Sequence, residues 1–308
     1  MKRFFVILFS VAAMQYVVFA DNSNRTVDLK EISGINVTDG FNVVMRSGMG
    51  YSVSLNVDSR LYDYCHATMQ GSTLNLEVDE KSFPKELKSQ LKKSTEKIAL
   101  NAVVTIPSNA EINSINVEDE STLDISTDIS MKGKMSITLS DNAKVFGLNV
   151  SDASRVNVST SKKAQFDGNV NSKELAVKTA NSSNVHIDAK CSIVEIDAGG
   201  SSNVVISGSS DETTVSASNS AKVNLGGSID KLTVSGKGNS EVDAASLKLD
   251  EAVVELNSSD CTVAAQRILS VSIQNNSTLV FDGNPEMNIV KVLNSSIIRA
   301  SDAKSNKK

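Results

Sequence analysis

From about residue 113 onward one pattern returns at a period of about 19 residues: an apolar pair, a small polar turn, one small residue, one variable residue and an apolar anchor. The anchors are Leu123, Val145, Phe166, Val185, Val204, Val223, Val242, Val263, Leu279 and Ile298, spaced by 22, 21, 19, 19, 19, 19, 21, 16 and 19. Two residues before them stand Ser121, Ala143, Ala164, Ser183, Ser202, Ala221, Ser240, Cys261, Ser277 and Ser296, all small. Eight residues before them stand Ile115, Ile137, Val158, Val177, Ile196, Val215, Val234, Glu255, Val271 and Val290. Nine of these ten are β-branched and apolar; the exception, Glu255, has Val254 beside it. Four residues before the anchors, Asn181, Gly200, Asn219, Gly238, Asn275 and Asn294 are residue types that tolerate a positive φ.

A period near 20 carried by β-branched residues means stacked coils of strand, each repeat being one coil. The fold class expected is all-β: a single-stranded parallel β-helix, or β-solenoid, of about ten coils. Alternation such as Val185-x-Ile187 puts one set of side chains inward and the next outward. The small residue fits a corner where neighbouring coils touch and a large side chain would not pack. Phe166 and Phe281 fall on or beside inward positions.

The chain before the coils reads differently. Residues 1–20 have a basic start, Met1-Lys2-Arg3, an apolar run and a small-residue end at Ala20, the pattern of a cleaved secretory signal. Residues 21–110 are expected to form an irregular β cap or first coils that close the solenoid's open edge. Within them, residues 80–97 are Lys-rich, and Leu87 and Leu91 at i and i+4 predict a short helix over Pro84–Lys93, lying on the body as an insertion. The coils proper occupy 111–300, and 301–308 reads as a disordered polar tail. No segment after the signal is apolar enough to span a membrane.

Composition removes several classes of function. The formal net charge is −5 with no basic block of the nucleic-acid-binding kind, so nucleic acid is not the expected partner. Two His in 308 residues exclude a His-rich zinc site. Cys65, Cys191 and Cys261 are odd in number and far apart, so no disulfide framework is implied. No P-loop, GxSxG or HExxH motif is present. Cys65-His66 is no nucleophile–base pair, since adjacent strand residues point to opposite faces. No cofactor is expected.

The stretches Ser33-Gly34-Ile35-Asn36-Val37 and Gly40-Phe41-Asn42-Val43-Val44-Met45, the Gly71–Val78 strand, Val103–Pro107 and the Asn/Ser/Gly-rich coils together resemble the head GIN domain family named for auto-transporter adhesins. The likeness covers most of residues 28–300. It implies a bacterial, exported protein with a parallel β-helix-like fold. The residues after Tyr64 include no Tyr or Trp, unlike a translocator β-barrel with its aromatic girdles, so display through a barrel of its own is not expected.

Candidate chemistry is sparse. Asp119 and Asp141 share the turn position of successive coils, with Glu118 and Glu120 beside them, but Lys162, Asn181, Gly200 and Asn219 follow in that position, as turn chemistry alone would choose. The candidate ligand surface has two parts. One is the aromatic-rich patch of the cap, Tyr62, Tyr64 and His66, for which edge-strand packing is the competing reading. The other is an outward polar ladder through Asn184, Asn203, Lys222, Glu241, Thr262 and Thr278. His186 should be an ordinary surface residue, and the Lys81–Lys97 cluster a solvated face. The expected function is a non-catalytic, adhesin-like binding module exported to the periplasm or cell surface, meeting a glycan or another protein. The alternatives are a polysaccharide-active β-helix enzyme, which needs paired carboxylates, or a structural protein that self-associates through its last coil near Ile289–Arg299, where Ile297 reads as outward.

Overall fold

The computed structural model describes residues 22–93, 98–130 and 133–305; the expected signal peptide lies outside them. The strands in chain order are β1 (Asn22–Asp28), β2 (Gly34–Val37), β3 (Asn42–Gly48), β4 (Ser52–Asp58), β5 (Cys65–Gln70), β6 (Thr73–Val78), β7 (Leu100–Pro107), β8 (Ser114–Val117), β9 (Thr122–Ser126), β10 (Asp128–Ser130) and β11 (Lys134–Leu139). Then come the long strands β12 (Lys144–Thr160), β13 (Gln165–Thr179), β14 (Asn184–Ala198), β15 (Asn203–Ser218), β16 (Lys222–Lys237), β17 (Glu241–Asn257) and β18 (Asp260–Gln274), followed by β19 (Thr278–Phe281), β20 (Glu286–Leu293) and β21 (Ser296–Arg299). Helix α1 (Lys85–Lys93) lies between β6 and β7, and α2 (Ala300–Ser305) follows β21.

Each strand from β12 to β18 is nearly a whole coil, bent at mid-length and paired in parallel with the next. Two inward columns run through the stack. The first is Leu123, Val145, Phe166, Val185, Val204, Val223, Val242, Cys261, Leu279 and Ile297, one residue per coil for ten coils. The second is Ile115, Ile137, Val158, Val177, Ile196, Val215, Val234, Val254, Val271 and Ile289. Nearly all members are buried, and each buried aliphatic side chain contributes about 1.5–3 kcal/mol of apolar burial.

These columns correct four expectations, one being that Ile289 and not Val290 ends the second column. Val242 stacks on Cys261, so Cys261 is an anchor, Ser259 is the buried small residue, and Val263 pairs with Ala244 instead. Val254, not Glu255, continues the second column, while Glu255 pairs with Ser235 and Ser272 outside. At the last coil Ile297 pairs with the anchor Leu279 and packs against the core, whereas Ile298 pairs with Val280; Ile297 is therefore not the outward residue expected. A "small-x-apolar" motif fits twice where Cys or a run of Ser-Ser-Ile-Ile allows it, and backbone pairing chooses between the fits.

The turn between coils is a column of positive φ: Asp119, Asp141, Lys162, Asn181, Gly200, Asn219 and Gly238. The small residue after it is buried for a specific reason. The Ser183 hydroxyl donates to the Ala180 carbonyl at 3.0 Å, closing its own turn, and accepts from Thr160 Oγ1 of the preceding coil at 3.0 Å. Ser202 likewise accepts from Thr179 Oγ1 at 2.8 Å.

The cap consists of two further coils stacked out of chain order. β8 and β9 lie on β2 and β3, and β2 and β3 lie in turn on β6 and β7. The later segment is thus the outer one. Antiparallel β4 then covers β7, β1 covers β4, and β5 covers β6. Leu74, Val104, Val53 and Leu55 are buried under this cover. Helix α1 forms where the Leu87/Leu91 spacing predicts, with Leu87 buried and Leu91 packed against the core. At the other end Ala300–Ser305 is a short helix, in place of part of the disordered tail expected of 301–308; Ala300, Ala303 and Lys304 are good helix formers.

Candidate functional site

Every coil presents two outward surfaces, one from the half carrying the anchor and one from the half carrying the second column. On the second half the outward columns are Ser136–Asn157–Ala176–Glu195–Thr214 and Thr138–Ser159–Lys178–Asp197–Ser216–Ser235–Glu255–Ser272–Lys291. Their side chains are short over much of the length, and the surface sinks there. A depression of about 620 Å³ crosses the coils from Ser136 to Ser216, lined also by Asn157, Ser159, Lys178 and Asp197. A smaller one, about 170 Å³, continues the same columns at Ser235, Glu255, Ser272 and Lys291. Together they make a shallow trough running across the strands, its polar side chains interleaved with Ile137, Val158, Ala176, Val177 and Ile196.

The trough has a charged rim. Arg155 donates to Glu174 at 2.8 Å and to Glu195 at 2.9 Å, tying three coils together, and its Nε donates to Asn157 at 2.9 Å. Those contacts hold the guanidinium pKa above its ordinary value, hydrogen bonding to Glu174 being the largest cause. Lys178 and Asp197 sit 3.8 Å apart inside it. Arg155 and Glu174 belong to a column visible in the sequence: Lys134, Arg155, Glu174, Glu212 and Lys231 each stand eleven residues before an anchor, with Ile193 interrupting the charges.

The expected polar ladder lies on the other half. Asn184, Asn203, Lys222 and Glu241 are in register, and Asp260, not Thr262, comes next before Thr278. Thr262 belongs to the neighbouring column, between Asp243 and Val280. Lys222 is paired with Glu241 at 2.8 Å. His186 is exposed and bonded through Nδ1 to Asp167 at 2.7 Å. The Asn184–Asn203–Lys222 stretch lines neither of those depressions.

In the cap, Tyr62 and Tyr64 lie in the helical turn Ser59–Tyr64 and His66 in β5. The Arg25 guanidinium sits 5.7 Å from the centre of the Tyr62 ring. Tyr64 meets Phe83 edge-on with ring centres 5.0 Å apart. Both tyrosines pack against the core, so much of their ring surface is committed to holding the cap together. Cys65 is buried, and burial pushes its thiol up to about 12; His66 points the other way, half-exposed.

The turn carboxylates Asp119 and Asp141 stack as expected, and a third joins them: the inverted cap order places Asp39 in register with Asp119. Burial, then the nearby Asp39, Glu118 and Asp141 carboxylates, push the Asp119 carboxyl up. Hydrogen bonds from Lys162 and Ser140 hold Asp141 down, with Lys162 Nζ 3.0 Å away. Among the described residues no group of three or more His, Cys, Asp or Glu side chains is arranged to hold a metal ion, and no helix among them is long and apolar enough to cross a membrane.

The family model described as "Putative auto-transporter adhesin, head GIN domain" matches residues 139–224 and 209–285. No curated protein matches the chain. Among solved structures, a "Putative lipid binding protein" from Parabacteroides distasonis is similar at 16% identity and a TM-score of 0.46, over 91% of this chain and 97% of that one. A "putative adhesin" from the same organism is similar at 12% identity and a TM-score of 0.49, again over 91% and 97%. A "putative adhesin" from Parabacteroides merdae is similar at 11% identity and a TM-score of 0.42, with the same coverage.

Proposed function

We propose that this chain, which carries the head GIN domain of the adhesin family over residues 139–285, is a non-catalytic binding module of the bacterial envelope whose trough holds an extended, hydroxyl-rich glycan. The observation that carries this reading is the trough itself. Hydroxyl and amide side chains at Ser136, Asn157, Ser159, Thr214, Ser216, Ser235 and Ser272 recur along it in register with the coils, at about 4.8 Å per coil, interrupted by the charged Lys178, Glu195, Asp197 and Glu255. The floor at Ser136, Ser159, Thr214 and Ser216 leaves room for a chain that brings its own hydroxyls. No aromatic ring lines it, so the contacts are hydrogen bonds of about 1 kcal/mol each. Affinity then grows from many weak contacts along one polymer.

The way the carboxylates are used supports the non-catalytic reading. Glycoside hydrolysis needs one protonated carboxyl group facing a second one across the bond. Glu174, Glu195 and Asp197 are instead taken up in ion pairs with Arg155 and Lys178. Asp119, whose pKa is raised, stands on a turn between coils and does not line the trough.

Electrophoresis of the purified protein through gels containing neutral or anionic polysaccharide tests the reading. At least one polysaccharide should retard it, and Ser159→Arg with Ser216→Arg, which fill the trough at exposed positions, should abolish the retardation without changing thermal unfolding. Free migration in every polysaccharide, or retardation that the double variant leaves intact, refutes it. Protease shaving of intact cells then separates surface display from a periplasmic location: loss of the protein before the outer membrane is opened means display.

A further inference from the structure

The two ends of the solenoid are finished differently. At the cap end, β4, β1 and β5 cover the outermost coil and its inward residues are sealed. At the other end, β20 pairs only with β18 and β21 only with β19 among the described residues. The inward columns break off there in the open. Ile289, below Val271, is 56% exposed, and Val292, below Ile273, is 40% exposed. Val290 and Leu293 add 72% and 51%. Among the described residues six large apolar side chains are exposed, and four of them are on β20.

We propose that this coil end is the contact between two copies of the chain, related by a two-fold axis and joined through β20, an interface independent of the trough. Three observations select a second copy. The surface is self-complementary in kind, since an apolar coil end with unpaired strand edges needs another of the same, and a two-fold axis supplies it. Its size reaches the threshold: a face roughly 26 Å along β20 and about 20 Å across gives on the order of 500 Å² per copy, about 1,000 Å² in total, the size a specific interface has to reach. The third concerns the opposite end. Head-to-tail stacking would need an open apolar coil at the cap, where β1, β4 and β5 stand instead, so the assembly closes at two.

The test position is Val290. It is the extra residue of a bulge: Ile289 pairs with Val271 and Lys291 with Ser272, leaving Val290 outside the ladder. A charge there should leave each monomer intact while placing two like charges close to the axis. Sedimentation velocity of the purified chain from about 1 to about 100 μM, a range that brackets a micromolar contact, should show a shift from one chain to two. Val290→Lys should weaken the association at least 100-fold and keep the wild-type circular dichroism and thermal unfolding at the lowest concentration. A wild-type chain that stays monomeric throughout overturns the proposal, whatever the variant does. So does a Val290→Lys dimer of unchanged affinity. Mass that grows past two chains with concentration overturns the two-fold geometry in favour of head-to-tail stacking.

Discussion

Gly226 and Gly227 are neighbours in β16, and the stack should treat them in opposite ways. Gly227 has φ +105°, and a Cβ built there would lie 1.9 Å from the carbonyl oxygen of Gly208 in the preceding coil. Gly208 repeats the arrangement against Ala189, also at 1.9 Å. An alanine at 227 therefore meets two costs. The positive φ costs an L-residue about 1–2 kcal/mol. The contact forces the coils apart by more than about 1 Å, which forfeits dispersion contacts and lengthens ladder hydrogen bonds worth about 1 kcal/mol each. Gly227→Ala should thus destabilise the protein by about 3–5 kcal/mol, a fall in melting temperature of about 5–8 °C for a chain of this size. Gly226 has no positive φ, and the nearest atoms to its hypothetical Cβ are 3.7 and 4.0 Å away. Gly226→Ala should be neutral or stabilising, within about 1 kcal/mol. Paired urea and thermal unfolding followed by circular dichroism compares the two. If Gly227→Ala unfolds within about 1 kcal/mol of wild type, or if the two variants cost the same, the mid-strand bend is not held by close coil contact and the reasoning fails.

Two further outcomes follow from the titrating groups. Asp119 has its carboxyl raised above the ordinary 3.8 by burial and by Asp39, Glu118 and Asp141. The fold therefore disfavours its charged form, and that penalty sets in as pH rises through 3.8 and is complete above the folded value. Asp119→Asn keeps a residue suited to φ +54°, so it should be more stable than wild type at pH 7 and lose that advantage at about pH 3 or below; an advantage independent of pH would refute the electrostatic cause. All three cysteines are free and buried, with their thiols raised chiefly by burial. Ellman's reagent at about pH 8 should label none in the native protein and all three in urea, because the thiolate is the reactive form; rapid native labelling would mean that a coil opens.

Much of this architecture is written in the order of residue types. A β-branched residue, a positive-φ residue, a small residue and an anchor at coil period demand a stack, because each coil alone cannot bury its apolar side. That logic placed the inward columns from Ile115 and Leu123 through Val234 and Val242, and it placed α1 from the Leu87/Leu91 spacing. It slipped where one residue suits two positions. Cys261 is both small and apolar, and Ser295-Ser296-Ile297-Ile298 allows two fits; the register of β17, β18, β19 and β21 decided both.

Three things belonged to the tertiary structure alone. The cap stacks β6 and β7 outside β2 and β3, against chain order, which is how Asp39 comes to lie beside Asp119. Local sequence is silent on such stacking because Ile35 and Leu74 are equally good inward residues. The trough was likewise hidden: outward residues are free to vary, and only the shape of the coil shows that Ser159 and Ser216 line a depression while Asn184 and Asn203 do not. Finally, Ile289 and Val292 continue the inward columns of Val271 and Ile273. Pairing in the ladder, not the coil-period count that pointed to Val290, puts them on the core side, and their exposure arises because burial needs a neighbouring coil and none of the described residues supplies one.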